Sequence, residues 1–587
     1  MDRIEICTKK EFADPKGKKL ENAALEDLGI RLGSARAIKA FSIDEGLSPK
    51  QLERIAREAF SDPFTQEVSV NAPLAERFQF DFLLEVSFKP GVTDNEARTA
   101  AESIENFLGK KFRGAVRTST QYLLSGISGK EAERIAAEMI ANELIECWRI
   151  LPYEKWKASK SCLEIKEAKP AGKPTVEDFD LNSGDRELEL LSAKRCLALS
   201  AAEIRAFASY LARPEVLAER KKRGLGGKAT DAELECFAQT QSEHCRHKVF
   251  RASIKYREKN FEHRVDGLLK TFIRGATEKI RMDAGKNDFC VSVFEDNAGI
   301  ISFDKGWNVA FKAETHNSPS ALDPYGGALT GIVGVNRDVM GAGIGAMPIF
   351  NTNVLCFGPP SKKSEGIPKG TLHPKRVFRG VRKGIEDGGN QSGIPTVNGS
   401  IFFDESFSVR PLVFCGTAGI MPAEIRGKKS HEKRARPRDK IVMIGGRIGK
   451  DGIHGATFSS MQLDEASPVS AVQIGAPIVQ KRVLDLLLEA RDLGLYDSVT
   501  DNGAGGLSSS VGEMALQSGG ALLELEKAPL KYPGLQPWEI LLSEAQERMT
   551  LSVPPSKLEK FLDLCRRRGV EAAVLGEFTK SGKLEAK

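Results

Sequence analysis

The stretch Val309-Ala310-Phe311-Lys312-Ala313-Glu314-Thr315-His316-Asn317-Ser318-Pro319 decides how this chain is read. Successive side chains of a strand point to opposite faces, so a strand over 309–313 sends Lys312 and Glu314 to one side. A cation and a carboxylate held together suit a nucleotide phosphate and its magnesium. A solvated Lys-Glu pair followed by turn residues is the alternative. His316 and Asn317 fall at the strand end, where ligands are usually met.

Three further clusters flank this stretch. Upstream, Gln241-Ser242-Glu243-His244-Cys245-Arg246-His247-Lys248 crowds histidines, a thiol, a carboxylate and cations together. Such a set can move protons and neutralise phosphate, or it is a polar helix end with satisfied side chains. No second cysteine pair completes a familiar zinc spacing. Downstream, Gly326-Gly327-Ala328-Leu329-Thr330-Gly331 runs through Arg337-Asp338 to Gly341-Ala342-Gly343-Ile344-Gly345. This predicts turns: either plain structural ones or N–H nests for an anion, with Arg337 for phosphate and Asp338 for a metal. Further on, Thr500-Asp501-Asn502-Gly503-Ala504-Gly505-Gly506 leads into a helical pattern. A glycine turn at a helix N-terminus offers N–H groups to an anion, and Asp501 before it is a metal candidate.

The whole composition agrees with a soluble globular protein. Its 587 residues suggest about three to five domains, and 41% apolar with 28% charged residues excludes general disorder. No run nears the roughly 18 apolar residues of a membrane span, and Met1-Asp2-Arg3-Ile4-Glu5 has no apolar signal region. Ten cysteines without a C-x-x-C pair predict a reduced, cytoplasmic protein. A net charge of +6 is too mild for nucleic acid but suits phosphorylated small molecules. Residues 1–250 hold only 14 of the 55 glycines, and all seven histidines fall between His244 and His454. The chemistry is therefore expected from about residue 240 onward.

The N-terminal stretch carries a repeat. Ile4-Glu5-Ile6-Cys7 followed by Ala13-Asp14-Pro15-Lys16-Gly17 returns about 80 residues later as Phe82-Leu83-Leu84-Glu85-Val86 followed by Pro90-Gly91-Val92-Thr93-Asp94. Each copy precedes a helical pattern, which predicts two small α+β units packed together. Glu131–Trp148 reads as an amphipathic helix, 166–185 as a linker, and Ser200-x-x-Glu203 as a capping box. The basic, glycine-rich 221–230 lacks the Walker spacing and is expected to be a mobile loop. Residues 250–425 alternate β-rich runs with glycine turns. Lys440–Gly446 predicts a buried strand opening another α/β unit, and Ala476–Leu493 and Lys557–Arg568 predict amphipathic helices.

Taken together, Ser242-Glu243-His244-Cys245-Arg246-His247-Lys248, Lys312-Ala313-Glu314-Thr315-His316-Asn317, Asn336-Arg337-Asp338, Gly449-Lys450-Asp451-Gly452-Ile453-His454-Gly455-Ala456-Thr457-Phe458, Val472-Gln473-Ile474-Gly475, Asp501 and Leu542-Ser543-Glu544-Ala545-Gln546-Glu547-Arg548-Met549 resemble the phosphoribosylformylglycinamidine synthase family, in the family's order. Ser318 and Ala545 stand where many members have His and Ser, and His247 where small bacterial forms have Tyr. The resemblance implies an α/β (α+β) fold. It consists of a duplicated accessory domain (1–165, repeats about 1–78 and 79–165), a linker domain (166–250), and the two lobes (251–425 and 426–587) of one unit of the aminoimidazole ribonucleotide synthetase type. It implies an ATP-dependent ligase that converts formylglycinamide ribonucleotide to the amidine. His244 and His316 would be catalytic, with His316 the proton acceptor. His247 and Lys312 would meet ATP, and Glu314, Asp338 and Asp501 would hold Mg2+. Thr315, Asn317, Ser318, Arg337, Gln473, Glu544 and Gln546 would contact substrate. The family has two homologous halves and this chain resembles the first, so a second-half synthetase chain and a separate glutaminase subunit are the expected partners. Phe414-Cys415-Gly416-Thr417 is the nearest lookalike to a glutaminase elbow and reads better as a buried strand cysteine. A non-catalytic nucleotide-binding assembly subunit and a homodimeric relative of aminoimidazole ribonucleotide synthetase are the rival implications.

Overall fold

The computed structural model describes residues 1–89, 94–141, 146–160, 174–241, 247–363, 366–368, 371–450, 452–455 and 475–587. The chain divides into two units, Met1–Lys169 and Pro170–Lys587. Among the described residues no helix is long and apolar enough to cross a membrane.

The first unit writes one pattern twice. Strand β1 (Asp2–Thr8), helix α1 (Pro15–Leu28), strand β2 (Ser34–Asp44), helix α2 (Pro49–Arg54) and strand β3 (Gln66–Val70) are followed by β4 (Phe82–Phe88), α3 (Asn95–Leu108), β5 (Ala115–Ser125), α4 (Gly129–Ile135) and β6 (Glu146–Pro152). Local chemistry repeats with the elements. Asp14 and Asp94 cap the long helices, Gly29 and Gly109 end them in left-handed geometry, and Ser48 and Ser128 head capping boxes. The sheet order β3-β1-β2-β5-β4-β6 joins the copies through antiparallel β2 and β5, with Lys39 opposite Thr120. Leu20 and Ala24 of α1 share a core with Leu84 and Val86 of β4, while Ile104 of α3 packs with Ile4 and Ile6 of β1. Each copy thus buries its long helix on the other's strands, and neither copy has a core of its own. The expected helix over Glu131–Trp148 is corrected: α4 continues as a π-turn to Ile140, and Trp148 lies in β6 paired with Val86. The apolar run that follows the helix is recruited by a sheet edge.

The second unit begins with helices α5 (Asp185–Lys194), α6 (Ala201–Leu211), α7 (Pro214–Lys221) and α8 (Asp231–Thr240), whose core includes Leu188, Ile204, Phe207 and Leu234. The loop expected at 221–230 is present over 222–228. Buried Arg220 donates to the carbonyls of Gly226 and Lys228 and pairs with Glu233, which pins the loop.

The first lobe is a six-stranded sheet with helices on one face. Its elements are β7 (Cys290–Ser292), β8 (Gly299–Asp304), β9 (Trp307–Thr315), α9 (Asn317–Leu322), α10 (Pro324–Gly341), β10 (Met347–Phe357), α11 (Pro374–Ser392), β11 (Thr396–Phe403) and β12 (Leu412–Pro422), in strand order β7-β8-β9-β12-β10-β11. Ala328, Ile332 and Val335 of α10 pack with Leu355, Val381 and Val413. The opposite face carries exposed Trp307 and Phe311, and the edge strand β11 exposes Val397, Ile401, Phe402 and Phe403.

The second lobe has a covered sheet. Strands β13 (Lys440–Ile444), β14 (Ser498–Asp501), β15 (Ala521–Leu523), β16 (Met549–Val553), β17 (Ala572–Phe578) and β18 (Leu584–Ala586) run in the order β14-β16-β13-β17-β15-β18. Alternation in β13 sends Val442 and Ile444 to a core with helices Pro477–Asp492 and Leu558–Arg568. Ile441 and Met443 go to a core with helices Gly506–Ser518 and Pro537–Leu542.

Candidate functional site

Strand β9 runs from Trp307 to Thr315, and its burial alternates: Asn308 and Ala310 face the helices while Trp307 and Phe311 face out. Lys312, Glu314 and then His316 therefore turn toward α10, and Thr315 turns away with Phe311. Lys312 Nζ lies 2.6 Å from Asp338 Oδ2 and 3.5 Å from Glu314 Oε1, and His316 Nε2 lies 3.2 Å from Glu314 Oε2.

Helix α10 can approach this face because its glycines leave room. A Cβ on Gly334 would sit 3.3 Å from Glu314 Oε2 and 3.1 Å from Gln546 Oε1, and one on Gly331 would sit 3.0 Å from Cys415 Sγ. The turns and anion nests expected over 326–341 are thus corrected. The glycines are buried packing positions in one 18-residue helix, and tertiary contact outweighs their poor intrinsic helicity.

The second lobe closes the site. Arg337 Nε lies 2.8 Å from Asp501 Oδ2, and Arg337 Nη1 donates to Gln546 Oε1 at 2.6 Å. Asp501 ends strand β14, and Gly505 and Gly506 follow in left-handed geometry to start the next helix. Gly505 N donates to buried Glu544 Oε1 at 3.2 Å. Sequence reasoning missed two neighbours: Asn297 Nδ2 donates to Asp501 Oδ1 at 2.7 Å, and Asp296 pairs with Lys433 at 2.5 Å. The acidic run Glu295-Asp296 before β8 was the available signal for Asp296, while Asn297 and Lys433 carried none.

The electrostatics follow from three carboxylates and two strong cations sharing one buried site. Burial and then repulsion from Asp501 and Glu314 hold the Asp338 carboxyl well above its ordinary range. Burial opposes ionisation of Glu314 too, but His316 and Lys312 hold it well below. Burial likewise works against the charge of Lys312, yet Asp338 and Glu314 keep it above the usual lysine value. Among the described residues no set of three His, Cys, Asp or Glu side chains stands in ready metal-holding geometry, because Lys312 lies between Asp338 and Glu314. The donor set still fits a hard divalent cation, because all its donors are carboxylate oxygens.

Other expected residues are placed less centrally. Asn317 Oδ1 accepts from Val413 N at 2.8 Å, and Ser318 is buried beside it. His247 opens a short helix (His247–Arg251) and is exposed. His244 and Gln473 lie outside the described residues. Cys415 is buried, and burial together with Glu314 pushes its thiol up, which suits a core cysteine and not a nucleophile.

Residues 436–587 match the C-terminal domain and residues 295–421 the N-terminal domain of AIR synthase related protein, and residues 188–248 match the formylglycinamide ribonucleotide amidotransferase linker domain. The phosphoribosylformylglycinamidine synthase subunit PurL of Thermoplasma acidophilum is 37% identical over 402 residues, 68% of this chain and 47% of the relative. That of Methanopyrus kandleri is 40% identical over 298 residues, 50% of this chain and 39% of the relative. The chain spans about half the length of the curated relatives it matches. Thermotoga maritima PurL complexed with FGAR is a structural neighbour at 31% identity and TM-score 0.47, covering 62% of this chain and 52% of that one. The PurLQS structure from the same organism has 28% identity and TM-score 0.43, covering 62% of this chain and 50% of that one.

Proposed function

We propose, from the premise that this chain belongs to the phosphoribosylformylglycinamidine synthase family, that it is the first half of a split synthetase. The reaction is ATP-dependent conversion of formylglycinamide ribonucleotide to its amidine. The carrying observation is the convergence of Lys312, Glu314, His316, Arg337, Asp338 and Asp501 from both lobes on one buried site. The substrate amide oxygen attacks the γ-phosphorus of ATP and releases ADP. Ammonia then adds to the activated carbon, and phosphate leaves with the oxygen. In this reading Lys312 meets the triphosphate and Arg337 the substrate. Glu314, Asp338 and Asp501 would hold magnesium, which would neutralise phosphate charge. His316, oriented by Glu314, accepts the proton that the incoming ammonia must lose, and the carboxylate steadies the imidazolium that results.

The same reading extends to partners, domains and location. Trp307, Phe311 and Phe402, exposed on the face away from the helices, offer apolar surface suited to a second-half chain, with a glutaminase supplying ammonia to the pair. Residues 1–165 act as an accessory domain and 166–250 as a linker, and the protein works in the cytoplasm. Reconstitution with a separately encoded second half, with an ammonium salt as nitrogen donor, tests this. Amidine should form only when both chains and ATP are present. A mixture that neither hydrolyses ATP nor makes the amidine would sink the proposal.

A further inference from the structure

Away from the carboxylate cluster, the second unit holds a cavity of about 710 Å3 lined by eight cationic side chains and three carboxylates. That volume lies within the range of small-molecule sites. Its walls are the hairpin Glu424–Ile425/Lys428–Lys429, the segment 432–436, the chain after helix Pro477–Asp492, and Lys557. The carboxylates do not neutralise it. Asp497 is 3.7 Å from Arg436 and 3.6 Å from Lys557, and Glu432 is 3.9 Å from Lys429. Lys428 and Arg434 have no ionic partner among the described residues, although both line the cavity. Arg426 is held in left-handed backbone geometry at φ 54°, with its guanidinium donating to the carbonyl of Leu493. Ile344, Ile425 and buried Tyr496 give the cavity an apolar wall beside the cations.

Eight cations, two of them without an ionic partner among the described residues, around an open cleft with an apolar wall are complementary to phosphate esters. We propose that this cavity binds a phosphorylated small molecule, at a site separate from the carboxylate cluster. It also has a route to that cluster. Lys433, a lining residue, pairs with Asp296 and donates to the carbonyls of Gly341 and Val499, and the adjacent Asn297 holds Asp501. A bound anion competes with Asp296 for Lys433 and so bears on the position of Asp501.

Calorimetric titration of the full chain with inorganic pyrophosphate at low salt tests the site. The chain should bind pyrophosphate, and the paired substitution Lys428→Gln with Arg434→Gln should weaken binding roughly tenfold or more, the worth of charge-assisted contacts. Lys312→Ala, which disables the proposed ATP site, should leave this binding in place, so failure here is distinct from failure of the proposed reaction. Should the pair fail to fold, Arg434→Gln alone carries the same readout. AMP binding more tightly than inorganic phosphate would identify a nucleotide, and equal affinities a simple phosphate. No pyrophosphate binding, unchanged binding by the paired variant, or complete loss in Lys312→Ala would each overturn the proposal. So would capture of an acidic peptide by a chain that ignores pyrophosphate.

Discussion

Asp338 is 2.6 Å from Lys312, yet Asp501 and Glu314 repel it from the other side, and its carboxyl is held above the ordinary value of 3.8. A carboxyl raised in the folded state contributes stability that is present at low pH and is lost as pH rises from that value through the folded one. A divalent cation offsets this loss, so magnesium should raise the melting temperature more at pH 8 than at pH 5. Equal shifts at both pH values would count against the metal assignment. Asp338→Asn keeps the shape but removes a carboxylate ligand, and should abolish the magnesium effect on the melting temperature. For catalysis, His316→Ala should lower turnover of the reconstituted enzyme by roughly 10²-fold, the usual worth of a proton acceptor, without unfolding it. At this scale the sequence was informative where alternation decides direction: Lys312 and Glu314 share the inner face of β9. It was silent about Asn297 and Lys433, whose partners lie more than sixty positions away along the chain.

Helix α10 brings Arg337 and Asp338 to that face only because Gly327, Gly331 and Gly334 carry no side chain. A Cβ at Gly327 would meet Ser320 N at 2.4 Å and the Pro319 carbonyl carbon at 2.5 Å, both backbone atoms of the preceding helix that cannot swing aside. Gly327→Ala should therefore destabilise the chain by about 1–3 kcal/mol despite alanine's better helix propensity, as read by thermal or urea unfolding. A stabilised variant would refute the close-packing account. The glycine run read as turns because local composition favours them, and burial on every side of the helix reverses that preference. The run to Trp148 misled in the opposite sense, since an amphipathic pattern after α4 is equally satisfied by β6 on the sheet edge. Strand β13 and the helices that flank it were legible because strict apolar periodicity and tertiary burial agree there.

The apolar outer face of the first lobe is the surface that the proposed second-half chain would cover. Phe311 is 43% exposed and Phe402 58% exposed. The paired substitution Phe311→Glu with Phe402→Glu should leave the isolated chain folded, with stability within about 0.5 kcal/mol, as is usual for exposed positions. The same variant should fail to form the complex with a second-half chain, seen as loss of the heavier species in light scattering and of ammonia-driven amidine formation. Undiminished assembly would place the docking surface elsewhere.

In the first unit Lys39 of β2 lies opposite Thr120 of β5, and these two occupy corresponding places in the two copies. Were the copies separate identical chains, that position would meet itself across the axis, and a lysine there would face a lysine at a cost of some tenths of a kcal/mol. Tandem duplication lifts the restriction. Each side of the junction mutates independently, and Lys39 is free to pair instead with Glu96 of α3. Gene fusion therefore gives heredity access to asymmetric interfaces that a homodimer can never encode. It also fixes at two the number of repeats carried by every copy of the chain, whatever the level of expression.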